Sequence, residues 1–210
     1  MKSREWKGFE VPITGPRPRS LFNHYLPRLC REFYQADAVV FWTLPVHDRK
    51  TGWLNERFHG IFRETMLHAA SREGLICPAY CLMPDHIHLV WMGLKTSTDQ
   101  RTAMKFLRIH LAAALKPFQF QHQAYDHVLI EEERMKSKFV SACVEYVLLN
   151  PLKAELVTKP YEWPFLGAVV PGYPACHPYS ENYWPWFWQR LAKMKEEGIE
   201  RRKLPPRAME

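Results

Sequence analysis

The sequence predicts an α+β fold in which an antiparallel sheet carries helices on one face. Two observations support it. Candidate elements follow the order strand, helix, strand, strand, helix, strand between residues 38 and 130, and a further helix follows them. In addition, 47% of the 210 residues are hydrophobic, which is enough for one substantial core. The element order matches the ferredoxin-like split β-α-β sandwich, here with one appended helix that carries a tyrosine.

The first half of the pattern is a helix among three apolar runs rich in β-branched and aromatic residues, which favour strands. Apolar residues recur at helical spacing before Gly74, and glycine is common just beyond a helix end. Pro84 and Asp85 separate the last two runs and predict a hairpin turn. The predicted elements are a strand at residues 38–44, a helix at 55–72, and strands at 75–83 and 86–94.

The second half contains two amphipathic helices, each followed by a proline, Pro117 or Pro151, that cannot continue the helical hydrogen bonding. Ser20 and Ser180 are candidate N-caps near the two ends of the chain. The predicted elements are helices at residues 97–116 and 137–150 with a short strand at 125–130 between them, a final helix from 180 to 197, and a short helix at 21–35.

Composition divides the chain into three parts. Residues 1–36 form a basic, proline-containing N-terminal arm together with the short helix, and residues 37–166 hold the ferredoxin-like pattern. Residues 167–210 are a C-terminal extension, rich in proline and aromatic residues, that ends in a basic tail. We expect the middle part to be the functional domain.

The charge of the chain favours a polyanionic partner. The formal net charge is +7 with 29 Lys and Arg residues, and the pI is ≈ 9.2. Nucleic acid is the first candidate partner, and ordinary solvated surface charge is the alternative. No apolar run approaches the ~20 residues of a membrane span, so we expect a soluble, cytoplasmic protein without a membrane partner. Five cysteines without a Cys-x-x-Cys pair indicate reduced, mostly buried thiols.

Two histidines, His86 and His88, lie two residues apart in the last predicted strand of the first half. Because side chains alternate along a strand, both imidazoles share one face, roughly 7 Å apart, and can converge on one metal ion. Ordinary strand histidines with satisfied hydrogen bonds are the alternative, since 10 histidines make such a pair common by chance. The same face carries Val90 and Met92, and the opposite face carries Ile87, Leu89 and Trp91.

A second pair of polar residues lies on the helix predicted at 137–150. Tyr146 and Asn150 are four residues apart and therefore one turn apart on a common face. A tyrosine hydroxyl and an amide oxygen ~6 Å apart can serve the same metal-bound phosphate. The alternative is a core tyrosine together with an asparagine that caps the helix before Pro151.

Three segments of the chain, found in order, resemble one protein family. They are Met-Pro-Asp-His-Ile-His at residues 83–88, the run at residues 146–157 that begins with Tyr-Val-Leu-Leu-Asn-Pro, and Tyr-Glu-Trp-Pro-Phe at residues 161–165. These segments resemble the HUH single-tyrosine transposases, and among them the REP-associated tyrosine transposases. The resemblance covers residues 37–166, which makes this part similar to an HUH transposase catalytic domain.

The resemblance implies an enzyme that nicks and rejoins single-stranded DNA bearing a hairpin, similar to a repetitive extragenic palindrome. It implies that His86 and His88 bind Mg²⁺ or Mn²⁺, that Asn150 completes the metal site, and that Tyr146 is the nucleophile. The resulting link is a 5′-phosphotyrosine. The family further implies a cytoplasmic, nucleoid-associated protein that acts as a monomer or a homodimer.

Other basic and aromatic residues are weaker candidates. Basic side chains expected to flank the site could bind DNA phosphates, although solvated helix faces explain each one about as well. The cluster Trp184-Pro-Trp-Phe-Trp188 could stack unpaired bases or pack against the domain. A catalytically silent nucleic-acid-binding protein on the same fold is the alternative function. The DNA-binding candidates are Lys105, Arg108, Arg134, Lys136, Lys138 and Lys153.

Overall fold

The computed structural model describes residues 28–129, 137–173 and 176–196. Five strands and four α-helices make up this part of the chain. The strands are β1 (Val39–Pro45), β2 (Leu75–Met83), β3 (His86–Gly93), β4 (Tyr125–Leu129) and β5 (Leu166–Val169). The helices are α1 (Glu56–Glu73), α2 (Gln100–Leu115), α3 (Ser137–Lys153) and α4 (Tyr183–Glu196).

The strands form one antiparallel sheet in the order β4-β1-β3-β2-β5. β3 lies between β1 and β2, and β1 lies between β3 and β4, so each of the two β-α-β connections is split by a strand from the other. This is the ferredoxin-like arrangement, and the predicted fold is confirmed. α1 begins at an Asn55 cap that accepts from the Phe58 N–H and ends at Gly74 in the left-handed conformation, as glycine there predicted.

Each face of the sheet has its own buried core. α1 and α2 cover one face, where the side chains of Ile87, Leu89 and Trp91 lie with those of both helices. α3 and α4 cover the other face, where Val90 and Met92 lie. The alternation predicted along β3 is therefore confirmed, and it places His86 and His88 on the α3 side of the sheet.

β5 is a strand that the sequence did not predict. It has four residues including Gly167, too few for an alternating pattern to stand out from its Trp-Pro surroundings. β5 pairs with β2, and α4 packs on the same face as α3. The division drawn after residue 166 therefore cuts through β5, and the described residues beyond it belong to the same sheet and core.

Two of the predicted helices, at residues 21–35 and 137–150, differ from the structure. Of the helix predicted at 21–35, residues 21–27 lie outside the described residues, and the described part holds a single 3₁₀ turn at Arg31–Tyr34. Phe33 and Tyr34 are adjacent and both buried, which is not the spacing of an amphipathic α-helix. α3 continues through Pro151 to Lys153 rather than ending at Asn150. Within the described ranges, no helix is both long and apolar enough to span a membrane.

Candidate active site

The two histidines of β3 point their rings at each other. The Nε2 atoms of His86 and His88 are 2.8 Å apart, and the two ring planes are nearly perpendicular at 83°. Two neighbouring ligands of one ion, each ~2.1 Å from it, are roughly 3 Å apart. The spacing of the two nitrogens therefore fits a shared divalent ion.

Each histidine is held at its other ring nitrogen. The Nδ1 atom of His86 lies 2.6 Å from Asp85 Oδ1, and Arg49 Nε lies 2.8 Å from the second oxygen of that carboxylate. The Nδ1 atom of His88 lies 2.9 Å from the Thr43 hydroxyl, because the β1–β3 register places these two residues opposite each other. Such outer contacts fix ring orientation in metal sites, and here they leave both Nε2 atoms as the candidate ligands.

Burial keeps both imidazoles neutral. It lowers the pKa of His86, although the hydrogen bond and charge of Asp85 act in the opposite direction. Burial lowers the pKa of His88 well below its ordinary value, and the neighbouring His86 adds to the effect. His88 is only 5% exposed. Neutral imidazole with a free nitrogen lone pair is the form that binds metal ions.

α3 brings Tyr146 to the histidine pair. The centres of the Tyr146 and His88 rings are 5.6 Å apart, with the planes at 70°. Buried residues on one side of α3 seat the helix against the sheet and leave Tyr146 half-buried at the edge of this contact. These residues are Val140, Cys143, Val144, Val147 and Leu148.

Phe41 of β1 contacts both His88 and Tyr146, and the sequence did not identify it as a candidate site residue. Its ring stacks on His88 at 5.2 Å and meets Tyr146 edge-on at 5.7 Å. Phe41 and Thr43 alternate with the fully buried Val40 and Trp42, so both face the α3 side. The alternating pattern of β1 predicts that Phe41 and Thr43 share a face. It places them beside the histidines only once β1 is known to pair with β3.

Asn150 contacts its own helix. Its side-chain Nδ2 donates to the main-chain carbonyl of Tyr146 at 2.6 Å, and the residue is half-buried. With the amide nitrogen held there, the oxygen Oδ1 is the atom available as a metal ligand. Among residues 28–129, 137–173 and 176–196, no three His, Cys, Asp or Glu side chains are grouped as a metal site. An ion held by His86, His88 and Asn150 would receive two imidazole nitrogens and one amide oxygen, which are donor types that divalent ions accept.

The end of α3 places a cation over the tyrosine. Lys153 Nζ lies 4.7 Å from the centre of the Tyr146 ring. Because α3 runs past Pro151, Lys153 is seven residues beyond Tyr146 and lies on the same side of the helix. Just beyond the end of α3, Glu155 has a φ of 56°, and its N–H donates to the Leu152 carbonyl.

Two of the predicted DNA-binding residues do not flank this site. Lys105 and Arg108 lie on α2, which covers the opposite face of the sheet from the histidine pair. The expectation that these two residues flank the site is therefore wrong, because α2 packs on the other face of the sheet. Arg134 and Lys136 lie outside the described residues, as does the side chain of Lys138.

The aromatic cluster near the C-terminus contributes to packing. Trp184, Trp186 and Trp188 are partly buried against the core under α3 and α4, and Phe187 is fully buried within it. The Tyr183 hydroxyl donates to the carbonyl of Pro78 on β2 at 2.9 Å. These contacts favour the packing interpretation over base stacking.

Two curated proteins are similar to the chain in sequence. A Haemophilus influenzae protein, whose name assigns it provisionally to the REP-associated tyrosine transposases, is 22% identical over 148 residues, covering 64% of this chain and 82% of the relative. An Escherichia coli protein named REP-associated tyrosine transposase is 20% identical over 137 residues, covering 64% of this chain and 79% of the relative. A comparison with protein-family models finds no match.

A solved structure shares the fold. The REP-associated tyrosine transposase bound to a REP hairpin has a TM-score of 0.53 to this chain and 19% sequence identity. The match covers 63% of this chain and 78% of the solved one. By sequence and by fold, the chain is therefore similar to the REP-associated tyrosine transposases.

Proposed function

We propose that this protein is a REP-associated tyrosine transposase that cleaves and rejoins single-stranded DNA bearing a hairpin. In this proposal Tyr146 is the nucleophile, and His86, His88 and Asn150 hold Mg²⁺ or Mn²⁺. Both curated relatives carry this family name, and the solved relative is bound to a REP hairpin. The net charge of +7 suits a nucleic-acid substrate.

One observation carries the proposal. Tyr146 on α3 and His88 on β3 are 58 positions apart in the chain, yet their rings lie 5.6 Å apart. A structural tyrosine needs only a packing partner, whereas here the half-buried phenol contacts His88, and the neutral imidazole of His88 faces that of His86. A tyrosine next to a candidate metal-binding pair is an arrangement that supports phosphodiester cleavage by a tyrosine nucleophile.

The reaction exchanges one phosphodiester for another. The Tyr146 oxygen forms a bond to phosphorus and gives up its phenolic proton, while the bond from phosphorus to the 3′ oxygen breaks and that oxygen takes a proton. The products are a 5′-phosphotyrosine and a free 3′-OH. Because one phosphodiester replaces another, attack by a second 3′-OH reverses the step without an external energy source.

The residues of the chain set the conditions for this step. Phe41 and His88 fix two sides of the Tyr146 ring, and Lys153 places a positive charge above it. A divalent ion, when bound, neutralises the scissile phosphate and stabilises the departing 3′ oxygen. His86, His88 and Asn150 would hold this ion.

A covalent-adduct assay tests the proposal. The protein is incubated with Mn²⁺ and a single-stranded oligonucleotide that carries a hairpin and a label on the 3′ side of candidate cleavage positions. The labelled strand should stay attached to the protein in denaturing gels, and peptide mapping should find it on Tyr146. EDTA should abolish the adduct.

Matched variants give the test its controls. Tyr146→Phe should lose the adduct, whereas Tyr161→Phe, which alters an exposed tyrosine, should keep it. His86→Ala should lose cleavage and retain DNA binding. An adduct that persists in Tyr146→Phe contradicts the assignment of the nucleophile. Hairpin binding without any adduct, across a random library of hairpins, favours the catalytically silent binding protein instead.

A further inference from the structure

A basic surface lies on the face of the sheet opposite to the histidine pair. It is a groove of ≈ 770 Å³ bounded by α2, by the segment before β1 and by the loop that precedes β4. Two of its residues, Lys105 and Arg108, are DNA-binding candidates from the sequence, which did not predict a groove. Its basic lining residues are Arg28, Arg31, Arg101, Lys105 and Arg108.

The spacing on α2 creates the positive side of this groove. Arg101, Lys105 and Arg108 follow each other by four and three residues, so they form one stripe along the helix. α2 contains no Asp or Glu. Ala112 extends the lined part of the helix to about 16 Å. A single phosphate is far shorter than this stripe, so the stripe can contact successive phosphates of one nucleic-acid strand.

The positive charge in the groove is only partly neutralised. Arg31 pairs with Asp99 at 2.6 Å, and Arg28 pairs with Asp126 at 3.2 Å. Lys105 is exposed and forms no ion pair with any residue that the structure describes. The groove therefore has an excess of cations in a concave surface, which concentrates anions.

Two of the cations are held close enough to repel each other. Burial and the nearby charge of Arg28 lower the pKa of Arg108. Arg108 donates to the carbonyl of Gln121, and its guanidinium lies 5.9 Å from the centre of the Phe120 ring. These contacts fix Arg108 in place despite the repulsion. A bound anion would relieve the repulsion, since it places negative charge between the two groups.

We propose that this groove binds an unpaired stretch of the DNA that the active site processes. The phosphates lie on the cations of α2, and the bases lie on the apolar lining, where Ile109 is 59% exposed and Phe120 presents part of its ring. Basic grooves with apolar and aromatic inserts bind single strands without reading their sequence. The identity of the strand as substrate rests on the proposed function, and the charge and shape of the groove do not.

The groove leads to the end of the sheet that carries the histidines. The loop at its end is bonded to the end of β1: Gln121 N–H donates to the Pro45 carbonyl, and His47 N–H donates to the Gln119 carbonyl, each at 2.8 Å. Pro45 is the register partner of His86. A DNA strand that leaves the groove at this loop therefore emerges at the end of the sheet where His86 lies.

Binding of a fluorescent 15-nucleotide oligothymidine to the full chain, followed by anisotropy across a salt series, tests the proposal. The double variant Arg101→Gln/Lys105→Gln should bind about tenfold more weakly near 0.1 M salt. The slope of log affinity against log salt should fall by about 1.4, because each phosphate contact contributes ~0.7 for single strands. Lys105→Glu, a change at one exposed position, should weaken binding by a similar factor without affecting the fold.

The control variant Arg57→Gln/Lys193→Gln removes two exposed charges elsewhere and should change affinity less than twofold. An unchanged affinity and salt slope in both groove variants would overturn the proposal. Equal weakening for a 15-base-pair duplex would overturn the assignment to an unpaired strand. The adduct assay is read separately: a protein that binds oligothymidine through the groove but forms no adduct refutes the transposase and leaves the groove intact.

Discussion

The carboxylate of Asp85 should control the metal affinity of the site through His86. Asp85 Oδ1 lies 2.6 Å from His86 Nδ1, and Arg49 holds its second oxygen. A charged acceptor at Nδ1 fixes the tautomer with a free Nε2 lone pair and makes that nitrogen a stronger ligand. Asp85→Asn keeps the size of the side chain and removes the charge. The amide can also present its NH₂ to Nδ1, which favours the wrong tautomer.

The expected loss is 10–100-fold in metal affinity, or about 1.4–2.7 kcal/mol. The measurement is the Mn²⁺ concentration that gives half-maximal adduct formation, together with hairpin affinity in EDTA. The half-maximal concentration should rise by the stated factor while the affinity in EDTA stays unchanged. Asp48→Asn is the matched control, because Asp48 is exposed and forms its ion pair with the exposed His47. An Asp85→Asn protein with an unchanged Mn²⁺ requirement would refute the orienting role.

Three further predictions concern assembly, packing and pH. An equimolar mixture of His86→Ala and Tyr146→Phe proteins should form no adduct, because the histidine pair and Tyr146 of one site come from one chain. Recovered activity would instead show exchange of α3 between two copies. Gly93→Ala should cost roughly 3 kcal/mol or more in urea unfolding, since a Cβ at Gly93 would overlap the Ala36 carbonyl oxygen; a loss below about 1 kcal/mol would contradict this. Burial lowers the pKa of His59 to about 4, whereas the unfolded residue titrates near 6.5. The unfolded state therefore binds an extra proton between these values, and the free energy of unfolding should fall as the pH drops from 7 to 4. His59→Gln should reduce this loss, and a pH profile that the substitution leaves unchanged would refute the role of His59.

Local patterns in the sequence were enough to predict most of the fold. β1 to β4 and α1 to α4 follow from apolar periodicity and from stop signals such as Gly74 and Pro117, and their bounds differ from the structure by a few residues. β5 was missed because four residues around Gly167 carry too little periodicity. That glycine is required for another reason: a Cβ there would lie 2.6 Å from the Tyr80 hydroxyl. A tertiary contact of this kind leaves no periodic signal.

The candidate site was predictable in part. The shared face of His86 and His88 follows from strand alternation, and the pairing of Tyr146 with Asn150 follows from helical spacing. The contribution of Thr43 depends on the β1–β3 register, which no local pattern specifies. Likewise, no local pattern specifies which face of the sheet α2 covers, because that depends on how the chain crosses between β3 and β4.

The segment from β5 to α4 supports the site through its contacts with α3. Tyr146 has its position because α3 is seated on the sheet, and the core that seats α3 also contains Phe187 of α4. The Tyr179 hydroxyl, just before α4, donates to the carbonyl of Leu148 on α3 at 3.3 Å. Because the rings of Tyr146 and His88 are in contact while their elements are far apart in sequence, small shifts of α3 would separate them. The segment from β5 to α4 is therefore part of the structure that fixes the distance between the proposed nucleophile, Tyr146, and the proposed metal ligand His88.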